Sequence, residues 1–172
     1  MKSSCYFILI CLLVVFTSIE SFASRSQQSK VKVSSPITIR NNIILYDGVC
    51  KFCNKWVDLL LQIDNKKVMR FAALQSSYGK EALSEMGKET DDISTVIYIR
   101  SNSQFYIKSN AVLEVMKETN SGLYAIAVIL GIIPLPIRDR FYDLVAKNRY
   151  NFLGKRDTCR CSDEEYSDRF LS

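Results

Sequence analysis

The spacing of hydrophobic and polar positions predicts short strands and amphipathic helices from residue 43 onward. The apolar run IILY, residues 43–46, is typical of a buried strand, and Asp47-Gly48 after it is a turn signal. Apolar side chains then recur with the spacing of one helical face, at Cys53, Trp56, Val57, Leu60 and Ile63. We therefore expect a helix that begins at Cys50 and closes at Asn65-Lys66.

The same patterns predict the rest of a mixed α/β domain. A second strand, a short helix, a β-hairpin and a further helix are expected at residues 68–74, 76–87, 94–100 with 104–109, and 109–118. The expected helix caps are Ser76 or Ser77 for the short helix, and Ser109 or Asn110 for the last one. The resulting order, β-α-β-α-β-β-α, is that of the thioredoxin-like fold.

Residues 121–154 add helices after this core. The segment GLYAIAVILGII is strongly apolar, but at about 12 residues it is too short to span a bilayer. We interpret it as a buried helix or as a hydrophobic ledge beside the active site. An amphipathic helix follows and ends near Gly154, with inward side chains predicted at Ile137, Phe141, Leu144 and Val145. The polar tail after it is expected to be loose.

The N-terminal residues form two zones of different composition. Residues 1–23 have a basic start, an apolar core from Tyr6 to Phe16 and small residues at Ser21 and Ala23, as secretory signal peptides do. A membrane anchor is the alternative, but its core would be shorter than the ~18–20 residues that cross a bilayer. Residues 24–42 hold four basic residues, five serines and no acidic residue, which is typical of a disordered linker or a transit segment.

Such a leader predicts the route of the protein more clearly than its destination. We expect the chain to enter the secretory pathway. From there it reaches a plastid through a two-part leader, or it remains secreted or lumenal. No stable membrane span is expected in the mature chain.

Composition limits the function classes. The chain has a net charge of +5, and most of it comes from residues 1–42, which hold five basic residues and one acidic residue. The predicted domain, residues 43–158, and its polar tail, 159–172, are therefore nearly neutral together, and we expect no nucleic-acid partner. The chain contains no histidine, which excludes Ser-His-Asp and Cys-His nucleophiles and His-ligated zinc.

The motif that carries chemistry is Cys50-Lys51-Phe52-Cys53, placed where a strand meets a helix. Unpaired N–H groups and the dipole at a helix N-terminus stabilise a thiolate and lower its pKa. We therefore expect Cys50, the more exposed thiol, to attack, and Cys53, more buried and protonated longer, to resolve the mixed disulfide. Lys51 favours the thiolate. Asp47 either opposes it or accepts a proton from Cys53.

Two alternatives to redox chemistry stay open. One is a zinc or assembly module without turnover, in which Cys159 and Cys161 would complete the ligand set, although a CxC is an imperfect partner for a CxxC. The other is an inert disulfide. Cys159 and Cys161 have three interpretations of their own: a second redox pair, a surface disulfide, or two ordinary tail cysteines. The last interpretation is favoured. Cys5 and Cys11 lie in the leader and are lost with it.

Two further features have plain interpretations. Trp56 and the aromatic side chains of the predicted hairpin are best explained by core packing. An exposed Arg149, next to Tyr150, either steers a substrate or pairs with an acidic neighbour, and the second interpretation is favoured.

The segments YDGVCKFCN, STVIYIRSNSQFYIKSNAVLEVM and PLPIRDRFYDLVAKNRYNFLGKRDTC together resemble the DCC (DUF393) family of thiol-disulfide oxidoreductases. The resemblance covers about residues 43–160. The Asp and two Cys of the family name match Asp47, Cys50 and Cys53, and Ser-Asn-Ala at 109–111 and Arg-Tyr at 149–150 fit its later motifs. The resemblance implies a thioredoxin-like fold and dithiol chemistry, with poorly defined substrates, and its plant members are often plastid proteins.

One position departs from ordinary thioredoxins. They place a cis-proline before the third strand, facing the CxxC, where it presents a backbone edge to the substrate and keeps metals from the thiols. Here the position is Ser94-Thr95, and no proline occurs between residues 37 and 133. We expect Thr95 to take over part of the role.

The sequence thus predicts a thiol-disulfide oxidoreductase that exchanges its dithiol or disulfide with protein clients. No cofactor is expected, and an electron donor or acceptor of unknown identity is implied. Besides the zinc or assembly module, a third hypothesis is a membrane-peripheral accessory protein that docks through LYAIAVILGII.

Overall fold

The computed structural model describes residues 42–100, 104–119, 122–160 and 163–172. The predicted signal peptide and nearly all of the basic segment after it lie outside these residues. In chain order the elements are β1 (Asn42–Tyr46), α1 (Lys51–Ile63), β2 (Met69–Ala73), α2 (Ser77–Glu85), β3 (Ile97–Ile99), β4 (Phe105–Ile107), α3 (Lys108–Glu118), α4 (Gly122–Gly131), α5 (Leu135–Leu153), a 3₁₀ turn (Ser167–Arg169) and β5 (Phe170–Leu171).

The strands form one mixed sheet in the order β4-β3-β1-β2-β5. β1 and β2 are parallel, as a strand-helix-strand crossover requires, whereas β3 runs antiparallel to both β1 and β4. β5 adds to the free edge of β2 in parallel. This architecture confirms the predicted thioredoxin-like α/β fold.

The core lies on both faces of the sheet. Alternate residues of β1 point to opposite faces, so that Ile44 and Tyr46 join the cluster under α1 and α3, while Ile43 and Leu45 join the cluster under α2. Because both faces are covered, β1 needs apolar side chains throughout, which explains its continuous apolar run. Trp56 packs against the first cluster, and Tyr98 of β3 is fully buried in it, as core packing predicts.

The helix ends follow the predictions in part. Ser76 caps α2, accepting a hydrogen bond from Gly79 N at 3.1 Å. α1 ends at Ile63, earlier than expected, because the Asp64 carboxylate turns back to accept the N–H groups of Val68 and Met69. The predicted cap of α3 is wrong. Its cap residue is Ile107 and makes no side-chain hydrogen bond.

The side chains expected to cap α3 bond to α5 instead. Ser109 Oγ donates to Asp139 Oδ1 at 2.5 Å. Asn110 Oδ1 accepts from Arg138 at 3.1 Å. These bonds hold α5 against the core.

The predicted inward face of α5 is also wrong. Ile137, Phe141, Leu144 and Val145 are 47%, 66%, 60% and 39% exposed. The face that meets the domain instead carries Arg149, which is buried, and Tyr142, whose hydroxyl bonds to Val96. Its polar groups find partners in the domain, so the apolar stripe is left outside.

α4 is the ledge of the two predicted alternatives and not a buried helix, since Ala127 is its only buried residue. None of the described helices is by itself long and apolar enough to cross a membrane. Taken together, α4 and α5 have the length and apolar composition of a membrane span, but the pair is bent by 119° at the break between the two helices.

The tail is not loose. β5 pairs with β2, and Arg169, 1% exposed, bonds the Asp64 carboxylate at 2.6 Å. Arg169 also donates to Met69 O at 2.8 Å. Because these are buried charge-assisted hydrogen bonds, the polar composition of the tail stabilises its docking instead of keeping it in solvent.

Candidate active site

The CxxC pair stands where β1 passes through a four-residue turn into α1. Cys50 is the N-cap residue of α1, and its Sγ accepts the backbone N–H of Cys53 at 3.3 Å. Cys50 N in turn donates to Asp47 O at 3.2 Å, which closes the turn. The sulfur therefore occupies the place of the oxygen that usually satisfies the orphan N–H groups of a first helical turn.

This geometry separates the two thiols in acidity. A hydrogen bond from the Cys53 side chain and one from the Cys53 backbone outweigh burial and lower the pKa of Cys50 to about 6. The same side-chain hydrogen bond, together with burial, raises the pKa of Cys53. Cys50 is therefore the more acidic thiol of the pair and Cys53 the less acidic one.

The predicted order of exposure is wrong. Cys50 is fully buried, at 0% exposure, whereas Cys53 is partly exposed. The segment after α5 covers Cys50. Lys155 forms a β-bridge with it, Gly154 O accepts Lys51 N at 3.3 Å, and Arg156 N donates to Val49 O at 2.8 Å.

Asp47 is held by four donors, three of them from distant parts of the chain. Its Oδ1 accepts Val49 N at 3.2 Å and Gln75 Nε2 at 2.7 Å. Its Oδ2 accepts Arg149 at 2.8 Å and the Tyr150 hydroxyl. These donors fix the buried Asp47 carboxylate in place. The charge of Asp47 raises the pKa of Cys50, and the charge of Arg149 lowers it.

Arg149 is 7% exposed, so the expectation of an exposed arginine is wrong and the expectation of an acidic partner is confirmed. Besides Asp47, it donates to Ile93 O and Ser94 O, both at 2.9 Å. One guanidinium thereby ties three parts of the chain together: α5, the turn before the CxxC, and the segment that leads into β3.

That segment contains Thr95, the residue expected at the cis-proline position. Thr95 is buried, and no peptide bond in the described parts of the chain is cis. The Tyr142 hydroxyl lies 3.2 Å from Thr95 Oγ1 and accepts Val96 N at 2.8 Å. Thr95 and Tyr142 line the same cavity as Cys53.

Sequence reasoning missed Gln75 and Tyr142. Gln75 follows β2, and besides its bond to Asp47 it accepts Gly48 N at 3.0 Å, which fixes the turn before the CxxC. A lone glutamine after a strand carries no chemical signal. The inward position of Tyr142 was hidden by the apolar stripe beside it on α5.

Thr95, Cys53, Phe52 and Trp56 line one cavity of about 470 Å³. Side chains of α3, α4 and α5 complete its wall. Cys50 is not among the lining residues, so of the two thiols only Cys53 faces this space.

Cys159 belongs to this neighbourhood. It is disulfide-bonded, while Cys161 lies outside the described residues. Its sulfur is so close to the CxxC turn that a methyl group at Gly48 would approach it to 2.6 Å. Cys159 is therefore no ordinary tail cysteine, and its thiol is not available as a zinc ligand.

In the described ranges, no group of three or more His, Cys, Asp or Glu side chains is arranged to hold a metal ion.

Comparison with known proteins agrees with this geometry. Residues 44–155 match the family described as DCC1-like thiol-disulfide oxidoreductase. The chloroplastic DCC family protein At1g52590 of Arabidopsis thaliana is 43% identical over 117 residues, 68% of this chain and 67% of that protein. The uncharacterized protein YuxK of Bacillus subtilis (strain 168) is 34% identical over 133 residues, 77% of this chain and 96% of that protein. No solved structure matches the chain.

The buried Asp47–Arg149 pair predicts a strong energetic coupling. Asp47→Asn or Arg149→Met leaves one buried charge without its partner, which costs about 3–5 kcal/mol of unfolding free energy. The double variant removes both charges and should cost clearly less than the sum, by about 1 kcal/mol or more. This double-mutant cycle is measured by urea unfolding of the wild type, the two single variants and the double variant, all in the same redox state.

The Cys50 pKa gives a second readout of the same variants. Arg149→Met removes a lowering charge and should shift the Cys50 titration upward, while Asp47→Asn should shift it downward. Additive unfolding costs, or shifts of the same sign in both single variants, would contradict the assignment.

Proposed function

Because the chain belongs to the DCC1-like thiol-disulfide oxidoreductase family, we propose that its Cys50–Cys53 dithiol exchanges with disulfides of client proteins. The observation that carries the proposal is the Cys50 sulfur at the N-cap of α1, with a pKa of about 6. A thiolate is the attacking species in thiol-disulfide exchange, and this one is largely ionised at neutral pH.

In the reductive direction, the Cys50 thiolate attacks one sulfur of a client disulfide. A mixed disulfide forms, and the second client sulfur leaves as a thiolate. Cys53 then loses its proton and attacks Cys50 Sγ, which closes the Cys50–Cys53 disulfide and releases the first client sulfur. Two electrons pass from the dithiol to the client, and an oxidative cycle runs through the same steps in reverse.

The burial of Cys50 adds one requirement to this cycle. A client sulfur reaches Cys50 only when the bridge between Cys50 and Lys155 opens. Opening breaks the two backbone hydrogen bonds of this bridge, from Lys51 N to Gly154 O at 3.3 Å and from Arg156 N to Val49 O at 2.8 Å. We therefore assign the segment at residues 154–156 as the cover of the nucleophile.

Exchange is tested with insulin reduction by a small dithiol donor. Cys50→Ala should lower the rate by about a hundredfold or more, because the attacking sulfur is lost and burial still disfavours a thiolate at Cys53. The wild-type rate should rise about tenfold per pH unit below pH 6 and level off above it, as the thiolate fraction does.

Cys53→Ala is the complementary variant for this test. It keeps the attacker but loses the resolver, so it should accumulate a mixed disulfide that peptide mapping places on Cys50. A Cys50→Ala protein with wild-type activity, or a stable adduct on Cys53 instead, would overturn the assignment of attacker and resolver.

We also propose that the mature protein resides in a plastid. The similar Arabidopsis protein is chloroplastic, and residues 24–42 have transit-segment composition. Residues 1–42 fused to a fluorescent protein should deliver it to plastids, whereas residues 1–23 alone should deliver it only to the secretory pathway. Secretion of both fusions would refute the plastid assignment.

A further inference from the structure

The cavity at Cys53 is built for an apolar molecule. It encloses about 470 Å³, and almost all of its accessible lining is carbon, from side chains such as Phe52, Trp56 and Val112. It meets the dithiol at Cys53, while Cys50 lies behind, buried. A small molecule in this space is therefore in reach of the active pair without the opening of the 154–156 cover.

The cavity is continuous with an exposed apolar surface. Leu130, Ile133, Phe141 and Val145 line the cavity and are also 38%, 36%, 66% and 39% exposed. The chain from residue 122 to residue 137, which forms α4 and the start of α5, contains no charged side chain. A molecule that reaches the cavity along this surface loses its hydration before it meets the thiols, which selects for lipophilic compounds.

Three charged residues line the cavity, Asp47, Arg138 and Arg149. Asp47 and Arg149 pair with each other, so Arg138 is the one considered for a ligand. Arg138 donates through Nε to Ile133 O at 3.0 Å and through one terminal nitrogen to Asn110 Oδ1 at 3.1 Å. Its other terminal nitrogen is buried and has no hydrogen-bond partner among the described residues, and none of their ion pairs includes Arg138. A buried N–H group of this kind favours a ligand with an electron-rich oxygen.

From these three features we propose that the cavity binds a lipophilic quinone, which accepts the electrons of the dithiol. The inference rests on the proposed dithiol function and names its electron acceptor. A flat ring fits the aromatic wall, a carbonyl oxygen accepts from Arg138, and an apolar tail leaves over Leu130 and Phe141. An apolar ligand without redox chemistry in the same place would only block Cys53.

The reaction balances with the groups present. The Cys50 thiolate and the Cys53 thiol together lose two electrons as the S–S bond forms, and the S–H bond of Cys53 breaks. The quinone takes up both electrons, and its two carbonyls become hydroxyls. One of the two protons comes from Cys53 and the other from solvent, since Cys50 is already ionised.

The test mixes the reduced full chain with decyl-ubiquinone and measures quinol formation and the loss of thiols in Cys50 and Cys53. We expect one quinol per disulfide formed. Ala146→Phe, which fills the cavity, should slow the reaction about tenfold or more, as the loss of about 1.4 kcal/mol of binding does. Ala125→Phe adds the same group on exposed α4, away from the cavity, and should react at the wild-type rate.

Arg138→Met is a second variant in case the larger side chain of Ala146→Phe disturbs folding, and it should raise the quinone concentration needed for half-maximal rate. Hydroxyethyl disulfide, a small soluble oxidant, is the reference for the wild type. Reaction with this disulfide but not with the quinone overturns the quinone proposal alone. Reaction with neither overturns the dithiol function as well. If Ala146→Phe and Arg138→Met both reduce the quinone as fast as the wild type does, the cavity assignment is overturned.

Discussion

The hydrogen bonds that Cys53 gives to Cys50 Sγ, from its side chain and from its backbone N–H, are the interactions on which the rest of this site depends. The Cys50 sulfur is thereby the N-cap of α1, so the residue that starts the helix is also the one whose negative charge the helix stabilises. β1 and the Asp47-Gly48 turn fix where that helix begins. Buried away from water, the sulfur is ionised only because donors of its own first turn stabilise the charge.

The second constraint is the buried charge pair of Asp47 and Arg149. An unpaired Asp47 would repel a thiolate at Cys50, and Arg149 offsets that repulsion while it also holds the carbonyls of Ile93 and Ser94. Because α5 supplies Arg149 from its inner face, the apolar stripe of α5 is left outside. The exposed apolar surface and the electrostatics of the thiols are thus two results of one helix orientation.

Local patterns predicted most of the sheet and its helices. The run at residues 43–46, the helical spacing after Cys50 and the Ser76 cap are each set by neighbours in the chain, and the structure confirms them. The position of Cys50 at the start of a helix was predictable for the same reason.

Long-range contacts decided the features that the sequence did not predict. The exposure of Cys50 depends on the segment at 154–156, about a hundred residues away, and no local pattern shows that it folds back. The face of α5 depends on whether buried partners exist for Arg149 and Tyr142. Arg169 lies in a tail of polar composition and is buried because it forms an ion pair with Asp64 at the end of α1.

Titration of Cys50 in the full chain, followed by the chemical shift of its labelled Cβ, measures whether Cys53 stabilises the Cys50 thiolate. We predict a midpoint near pH 6 in the wild type and in Cys53→Ser, which keeps a side-chain donor. In Cys53→Ala the midpoint should rise by about 1–2 pH units, the worth of a hydrogen bond to a charged group. A wild-type midpoint near that of a free thiol, or no difference between the two variants, would contradict this prediction.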